Sequence, residues 1–383
     1  MPTKVVVLGA GYAGTTAVTQ LEKAGDEVDL TWISNRDYHL VRHEVHRAVR
    51  TPTVRERIAI PIAEIRSPET RFVEGTVRGI DVDERRVELT DGRSVDYDYV
   101  LVAIGGRTPY YGIPGMSDHA LTLESLPDAL AIHEAIDAAG RTASRDDPAR
   151  VVVGGAGLSG VQCAGEVATY RDEHDVPLDV VLLEALPEIL PGTDPALQSA
   201  VRKRVEAAGV DVVVDDPIVA VDEDEIHLDV GAPQPYDVFV WTGGITGRPL
   251  LESATVEKDH NRLTADATFR TSDDRVFAVG DAAVIAQNDT PAPPTAQAAW
   301  QAGAVAAENI RRAAAGDPLE PWHFVDRGTL VSIGDEAIAH DVAGLPFSTF
   351  GSLPAEFLKK FVAARWIADV TSWRRALAAW PYL

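Results

Sequence analysis

The sequence contains very little cysteine. Cys163 is the only one among 383 residues, so the chain cannot form an internal disulfide, a CxxC redox pair or a cysteine-rich metal site. We expect no metal ion, and Cys163 itself is expected to be a packing residue beside a glycine-rich turn. Any redox chemistry would have to come from a bound organic cofactor.

Long apolar runs are missing as well. No run reaches the roughly 18 residues that a membrane-spanning helix needs. The apolar residues 5–8 are too few for a secretory leader and run directly into glycines. We therefore expect a cytoplasmic protein unless a segment anchors it to a surface.

Lysine is scarce, and the charge is strongly one-sided. Only 6 of the 35 basic residues are Lys, leaving 29 Arg, and 59 acidic residues bring the net charge to −24. Nucleic-acid binding needs a basic stripe, and none is present. An anionic surface is tolerated where molar salt shortens the Debye length to about 3 Å. The composition favours a halophilic protein, with an ordinary acidic enzyme as the alternative.

One large internal repeat organises the chain, whose length suits two or three domains. In each copy an apolar run enters a glycine fingerprint, and a later Tyr-Asp strand ends in Gly-Gly; the copies span residues 5–106 and 151–244. Continuous Val, Leu and Ile strands are typical of parallel sheets covered by helices on both faces. We expect an α/β fold with two doubly wound, Rossmann-like domains.

A further apolar strand at residues 275–281 ends on Gly-Asp and has no fingerprint of its own. We expect it to return to the first sheet, which makes the first domain discontinuous. The predicted division is 1–112 and 265–335 for the first domain, 113–264 for the second, and 336–383 for a C-terminal region.

Both fingerprints have the form GxGxxG between a Val-rich strand and an Ala-rich helical stretch. The glycines permit a tight turn and close backbone approach, and the helix N-terminus offers free N–H groups to a diphosphate. The predicted binding glycines are Gly9, Gly11 and Gly14 in the first copy and Gly155, Gly157 and Gly160 in the second.

The strand after the second fingerprint ends on an acid. Glu184 is placed to accept hydrogen bonds from adenosine ribose hydroxyls and to repel a 2′-phosphate, which favours NADH; a solvated strand-end Glu is the alternative. The corresponding strand of the first copy, residues 28–35, has no terminal acid. Ser34 or Asn35 would have to contact a ribose there.

With these motifs the sequence resembles the two-dinucleotide-binding flavoproteins, and more closely the type II NADH dehydrogenases, which are single-subunit NADH:quinone oxidoreductases. The resemblance covers nearly the whole chain. It rests on both fingerprints and on Asp37-Tyr38-His39-Leu40, residues 154–166, Glu184 with residues 189–191, and residues 241–244, 279–281 and 294–301.

The resemblance implies FAD at the first fingerprint and NADH at the second. The further FAD residues it implies are Gly105, Gly280, Asp281, Ala296 and Gln297, and the further NADH residues are Gly243 and Gly244. Ala296 and Gln297 would open a helix whose dipole stabilises negative charge on the reduced flavin. The alternatives are that Asp281 only caps the start of a helix, and that the helix beginning at Ala296 only packs against its neighbours.

The resemblance also implies the catalytic positions. Gln297 and Gln301 fit the family's quinone-site signature, and Glu166 matches an acid near nicotinamide and flavin, with a surface Glu as the alternative. The preceding family acid is Gln162 here. Ile104 replaces a usual Thr, and Ser34 replaces a usual acid, so the FAD contacts of this chain must differ in detail.

The C-terminal thirty residues carry +3, counting five basic against two acidic side chains. Helical spacing predicts one apolar face made of Val362, Trp366, Val370, Trp373, Leu377 and Trp380. Trp-rich stripes with flanking cations suit the headgroup region of a membrane. We expect binding to the inner face of the cell membrane; a core-closing helix or a homodimer contact are the alternatives.

Taken together, the predicted activity is hydride transfer from NADH to FAD followed by reduction of a lipid quinone, without proton pumping. Sulfide:quinone reductases use paired cysteines, so one cysteine argues against that activity. A reductase of a soluble carrier such as ferredoxin and a slowly reacting NADH-sensing flavoprotein are the remaining alternatives.

Overall fold

The structure, a computed structural model, describes residues 2–287 and 290–383. In chain order the strands are β1 Thr3–Leu8, β2 Val28–Ser34, β3 Tyr38–Leu40, β4 Ala59–Pro61, β5 Arg71–Glu74, β6 Val77–Asp81, β7 Arg86–Leu89, β8 Ser94–Asp96, β9 Tyr99–Val102, β10 Leu121–Thr122, β11 Ala149–Gly154, β12 Leu178–Leu183, β13 Val210–Val213, β14 Ile218–Val221, β15 Glu225–Leu228, β16 Gln234–Pro235, β17 Val238–Trp241, β18 Lys258–Asp259, β19 Arg262–Ala265, β20 Val276–Ala278, β21 Ala283–Ile285, β22 Thr329–Ile333, β23 Glu336–His340 and β24 Thr349–Gly351.

The helices are α1 Tyr12–Leu21, α2 Arg47–Arg50, α3 Arg55–Ile58, α4 Met116–His119, α5 Leu126–Thr142, α6 Leu158–His174, α7 Pro195–Ala207, α8 Ala296–Ala315, α9 Leu353–Val370 and α10 Trp373–Ala379. None of the helices in these two described stretches is both long and apolar enough to cross a bilayer.

The first large sheet is parallel, with strand order β20-β9-β1-β2-β5. Val5 in the central strand lies opposite Leu30 on one side and Tyr99 on the other, and residues 5–8 are fully buried. The predicted return of the strand near residue 276 is confirmed, because β20 pairs with β9. The first unit is therefore discontinuous in sequence.

The second large sheet is also parallel, with order β10-β17-β11-β12-β13. As in the first sheet, the strand that enters the fingerprint is central, and the chain continues to opposite sides of it. This reversal leaves a crevice at the carboxyl ends of the central strands, the usual ligand position in open α/β sheets. The predicted doubly wound α/β class is confirmed.

Smaller sheets complete the molecule. Two antiparallel sheets are inserted into the large units: β6-β7-β8 between β5 and β9, and β14-β15-β16 between β13 and β17. β19 pairs in parallel with β21, so the predicted boundary at 264/265 falls inside a strand. The predicted boundary at 335/336 falls in the turn between β22 and β23, within an antiparallel sheet, β22-β23-β24, that no sequence pattern predicted.

The prediction of a single apolar face at the C-terminus was wrong. Trp366 and Val370 are only 1% and 8% exposed and pack into the core, whereas Trp373 and Leu377 are exposed. A spacing of four residues advances about 40° around a helix at each step, because one turn holds 3.6 residues. The stripe therefore rotates inward along α9, and the chain breaks at Thr371 before α10 begins.

Candidate functional site

The first fingerprint loop connects β1 to α1 and has three structurally different glycines. Gly9 has φ +100°, and a Cβ there would overlap the carbonyl oxygen of Ala103; a Cβ at Gly14 would overlap the carbonyl oxygen of Gly9. At Gly11 a Cβ would meet no atom within 4 Å. The outer glycines thus allow close packing, and the middle one borders open space into which a diphosphate fits.

The second fingerprint loop repeats this geometry between β11 and α6. Gly155 has φ +88°, a Cβ at Gly160 would overlap the carbonyl oxygen of Gly155, and a Cβ at Gly157 would meet nothing within 4 Å. Neither helix has a side-chain cap or an acid in its first turn. Their N-terminal N–H groups therefore suit an anion, and both loops fit the diphosphate of a dinucleotide.

Glu184 stands directly after β12 and reaches the second fingerprint. Its carboxylate accepts hydrogen bonds from the backbone N–H of Ala156 at 2.7 Å and of Leu186 at 3.0 Å, and the residue is 8% exposed. The acid is thus held at the strand end beside the loop. In the first copy Ser34 is buried and accepts from the backbone N–H of Arg36 at 3.2 Å, while Asn35 is exposed.

The remaining predicted FAD positions lie on loops that follow β9 and β20. Gly105 has φ +70° and faces open space. Gly280 has φ +63°, and a Cβ there would lie 3.5 Å from the Cβ of Ala13 on α1. The Asp281 carboxylate lies 3.9 Å from the guanidinium of Arg42. The structure therefore brings the Gly-Asp turn next to the helix that follows the first fingerprint.

The predicted NADH positions after β17 are covered by an aromatic side chain. Gly244 has φ +77°, and a Cβ there would overlap the hydroxyl of Tyr111. Tyr111 is 64% exposed, and its ring is 6.4 Å from that of Trp241 in an edge arrangement. No sequence pattern predicts a role for Tyr111, because a tyrosine in a Gly- and Pro-rich linker belongs to no motif.

Ala296 begins α8 as predicted, with the hydroxyl of Thr295 accepting from the N–H of Ala298 at 3.2 Å. The side-chain amides of Gln297 and Gln301 bond to the backbone of residues 325–328. Gln297 accepts at 2.7 Å and donates at 3.2 Å; Gln301 accepts at 3.2 Å and donates at 2.9 Å. Both glutamines therefore hold this segment against α8.

Glu166 lies on α6 and is fully buried at the boundary between the two large units. One carboxylate oxygen is 2.9 Å from Nε of Arg50, and the other is 3.9 Å from Arg47 and 3.8 Å from His46. Burial raises the pKa of Glu166, and Arg50 and Arg47 partly oppose that rise. The surface alternative for this residue was wrong.

Two more buried charges continue this group. Glu44 accepts hydrogen bonds from Nε of Arg47 at 2.6 Å and from Nζ of Lys359 at 2.7 Å. Burial alone would raise the pKa of Glu44, but Lys359 and Arg47 hold it well below its usual value. We call Glu44, Arg47, Arg50, Glu166 and Lys359 the buried ionic cluster. The cluster connects α2, α6 and α9, and no sequence motif predicts it.

Comparison with known proteins agrees with this geometry. Residues 3–303 match the family profile of the pyridine nucleotide-disulphide oxidoreductases. The chain is 32% identical over 384 residues to a type II NADH:quinone oxidoreductase of Staphylococcus aureus, covering 94% of each protein.

Solved structures share the fold. NDH2 from Plasmodium falciparum in complex with NADH superposes with a TM-score of 0.84 at 15% identity, covering 99% of this chain and 98% of that one. The sulfide:quinone oxidoreductase of Aquifex aeolicus superposes with a TM-score of 0.81 at 18% identity, covering 96% and 91% of the two chains.

Proposed function

Because the chain belongs to the pyridine nucleotide-disulphide oxidoreductase family, we propose that it is a type II NADH:quinone oxidoreductase that uses FAD. The observation that carries this function is the pair of equivalent fingerprint loops, each with a middle glycine open to a diphosphate, in a chain that aligns with such an enzyme over 94% of its length. FAD, when bound, carries two electrons from NADH to a quinone.

The first fingerprint, with Gly105, Gly280 and Asp281, is the proposed FAD site. Its glycines let the backbone approach the diphosphate, and the N-terminus of α1 offers uncapped N–H groups to the negative charge. Ala296 and Gln297 begin α8, whose 20 residues direct a positive dipole end toward the same crevice. Ser34 and Asn35 are the side chains available at the end of β2, where no acid is present.

The second fingerprint, with Gly243 and Gly244, is the proposed NADH site. Glu184 selects NADH because its carboxylate can accept from ribose hydroxyls and repels a 2′-phosphate. The backbone N–H groups of Ala156 and Leu186 donate to this carboxylate and hold it in place beside the fingerprint loop. Tyr111 covers Gly244 and must move or stack when a nicotinamide enters.

The quinone is proposed to bind beside α8 near Gln297 and Gln301. Their side-chain amides hydrogen-bond to the backbone of residues 325–328. They therefore fix the position of this segment, which would form one wall of the quinone site. Glu166 is the proposed catalytic carboxyl near nicotinamide and flavin, because it is buried where the two large units meet and burial raises its pKa. It lies with Arg50 where α2 meets α6, between the two large units.

The proposed docking element for the membrane is an exposed apolar face of α9 and α10. We call it the docking face, and it consists of Leu353, Phe357, Phe361, Val362, Trp373 and Leu377. Phe357 and Phe361 stack with ring centres 6.4 Å apart. Lys360, Arg365 and Arg374 flank them in an otherwise acidic protein, which suits an anionic lipid surface.

Stopped-flow absorbance of the FAD-loaded protein tests the activity. NADH should bleach the flavin band, and a soluble quinone analogue should restore it within the turnover time. A flavin that NADH reduces but quinone leaves reduced would contradict the assignment. Rapid reoxidation by ferredoxin alone would support a soluble-carrier reductase instead.

Vesicle flotation tests the docking face. The protein should float with vesicles containing anionic lipid, and Phe361→Glu should remain in the soluble fraction, whereas Val230→Glu should float normally. Val230 is an exposed apolar residue outside α9 and α10, and so controls for charge alone. Sedimentation as a dimer that Phe361→Glu converts to a monomer would show that a second copy covers this face.

A further inference from the structure

The carbonyl groups of the first fingerprint are held by buried side chains. Nε1 of Trp32, on β2, donates to the carbonyl oxygen of Gly9 at 3.0 Å. The Nδ1 atom of His39, on β3, lies 2.8 Å from the carbonyl oxygen of Ala10. In a trans peptide the carbonyl and the following N–H point in opposite directions. Fixing these two carbonyls therefore also fixes the N–H groups of Ala10 and Gly11.

The second fingerprint achieves the same result with nearby groups. The hydroxyl of Thr242 donates to the carbonyl oxygen of Gly155 at 2.8 Å, and the backbone N–H of Leu190 donates to that of Ala156 at 2.8 Å. A backbone N–H can only donate, so the proton that faces the Ala156 carbonyl oxygen has a fixed position. The first loop differs, because an imidazole donates only when the correct nitrogen carries the proton.

His39 is neutral and therefore has one ring proton. The residue is fully buried, and burial lowers its pKa to about 4. Nε2 of His39 lies 2.8 Å from Nε1 of Trp366, which is also fully buried. An indole nitrogen can only donate, so Nε2 of His39 must be the acceptor. The ring proton is then on Nδ1, facing the carbonyl oxygen of Ala10.

We propose that Trp366 and His39 are positioning residues for FAD: the indole N–H of Trp366 selects the Nδ1-protonated form of His39, which holds the Ala10 carbonyl and aims the Gly11 N–H at the diphosphate. This inference rests on the proposed assignment of FAD to the first fingerprint. It makes the C-terminal helix α9 part of the cofactor site through two buried hydrogen bonds.

Loss of the indole N–H weakens the selection, because only the Ala10 carbonyl oxygen then favours the proton on Nδ1. In Trp366→Phe the proton of His39 can move to Nε2, and the Nδ1 lone pair then faces the Ala10 carbonyl oxygen. The hydroxyl of Thr15, 3.1 Å from Nδ1, can compensate only in part, because it lies 3.4 Å from that carbonyl oxygen. The loop carbonyl becomes free to turn, which competes with the N–H orientation that FAD needs.

FAD affinity measured on the apoprotein, by quenching of FAD fluorescence, tests the proposal. Trp366→Phe should raise the Kd for FAD roughly five- to tenfold, the effect of one buried hydrogen bond. Trp300→Phe is the matched control. The Trp300 ring packs on Trp366 at 4.6 Å, but within residues 2–287 and 290–383 its N–H bonds to no fingerprint atom. Its Kd should stay within about twofold of the wild type.

His39→Asn separates positioning from packing. The Asn amide nitrogen replaces Nδ1 and can donate to the Ala10 carbonyl without any choice of proton position. His39→Asn should therefore bind FAD nearly as well as wild type, and adding Trp366→Phe should not weaken it further. Two results would show that Trp366 acts by packing alone. One is that Trp366→Phe weakens FAD binding equally in the wild type and in His39→Asn. The other is that Trp366→Phe and Trp300→Phe raise the Kd for FAD equally.

Nitrogen NMR of ¹⁵N-histidine-labelled wild-type protein gives a second readout that needs no folded variant of Trp366. The signals that disappear in His39→Asn should belong to a ring protonated at Nδ1 and unprotonated at Nε2. Protonation at Nε2 would overturn the proposal. Neither measurement uses NADH or quinone, so a failure of the proposed activity would leave this test intact.

Discussion

The choice between NADH and NADPH is expected to depend on Glu184. A 2′-phosphate carries roughly −1.5 to −2 charges, and at about 6 Å from a carboxylate with an effective dielectric constant near 20 the repulsion is about 3 kcal/mol per unit charge. Glu184 is only 8% exposed, so water screens its side of the interaction weakly. Solvent at the open side of the cofactor site reduces this repulsion. We therefore expect kcat/KM for NADH to exceed that for NADPH on the order of 100-fold or more.

Glu184→Gln should reduce this preference to below about tenfold, mainly by raising kcat/KM for NADPH. Gln has one acceptor oxygen for two backbone donors, so kcat/KM for NADH should also fall, by roughly fivefold. The assay follows absorbance of the reduced nicotinamide with a soluble quinone analogue.

Glu188→Gln is the matched control for Glu184→Gln. Glu188 lies four residues further along the same loop, and its carboxylate pairs with Arg202 at 3.0 Å instead of bonding to the fingerprint. It should leave the cofactor preference unchanged. The reasoning is refuted if the wild type prefers NADPH, or if both variants change the preference equally.

Three further results are expected. Glu44→Gln should lower the free energy of unfolding in urea by roughly 3–5 kcal/mol, because it leaves Lys359 buried without its partner, whereas Glu64→Gln, at the half-exposed pair with Arg375, should cost less than about 1 kcal/mol. The pKa of Glu44 is lowered in the folded protein, so its stabilisation is complete above the unfolded carboxyl pKa near 4.3 and is lost as pH falls below it; urea titrations at pH 7 and pH 4 should differ less in Glu44→Gln than in wild type. Raising NaCl from 0.1 to 2 M should increase Tm because it screens a net charge of −24, and an unchanged Tm would contradict a surface adapted to salt.

The parts of the fold predicted from sequence are those encoded locally. Each fingerprint is a continuous strand, glycine turn and helix, over residues 3–21 and 149–174, and a Cβ at the first or third glycine would overlap backbone atoms. The return of β20 to the first sheet followed from an apolar strand without a fingerprint of its own. Such features depend on neighbours in sequence, so a pattern is sufficient to predict them.

The features that were missed depend on partners far apart in the chain. Glu44 and Lys359 are 315 residues apart, and His39 and Trp366 are 327 apart. In the sequence, Glu44 and Lys359 look like ordinary surface charges, and Trp366 looks like one residue of an ordinary apolar helix face. Helical spacing predicts that Trp366 belongs to an apolar face, but it does not predict whether that face points to a membrane or to the core. Only tertiary packing sets that direction.

The two fingerprints have almost the same backbone but different support, and the difference has a functional consequence. The carbonyls of the second loop bond to Thr242 and to the N–H of Leu190, both within the same unit. One carbonyl of the first loop depends on His39, and through it on α9, the helix that also carries much of the docking face. Coupling of this kind is reciprocal. If a lipid surface stabilises α9 in its packed position, it should tighten FAD binding at the first loop and leave NADH binding at the second unchanged.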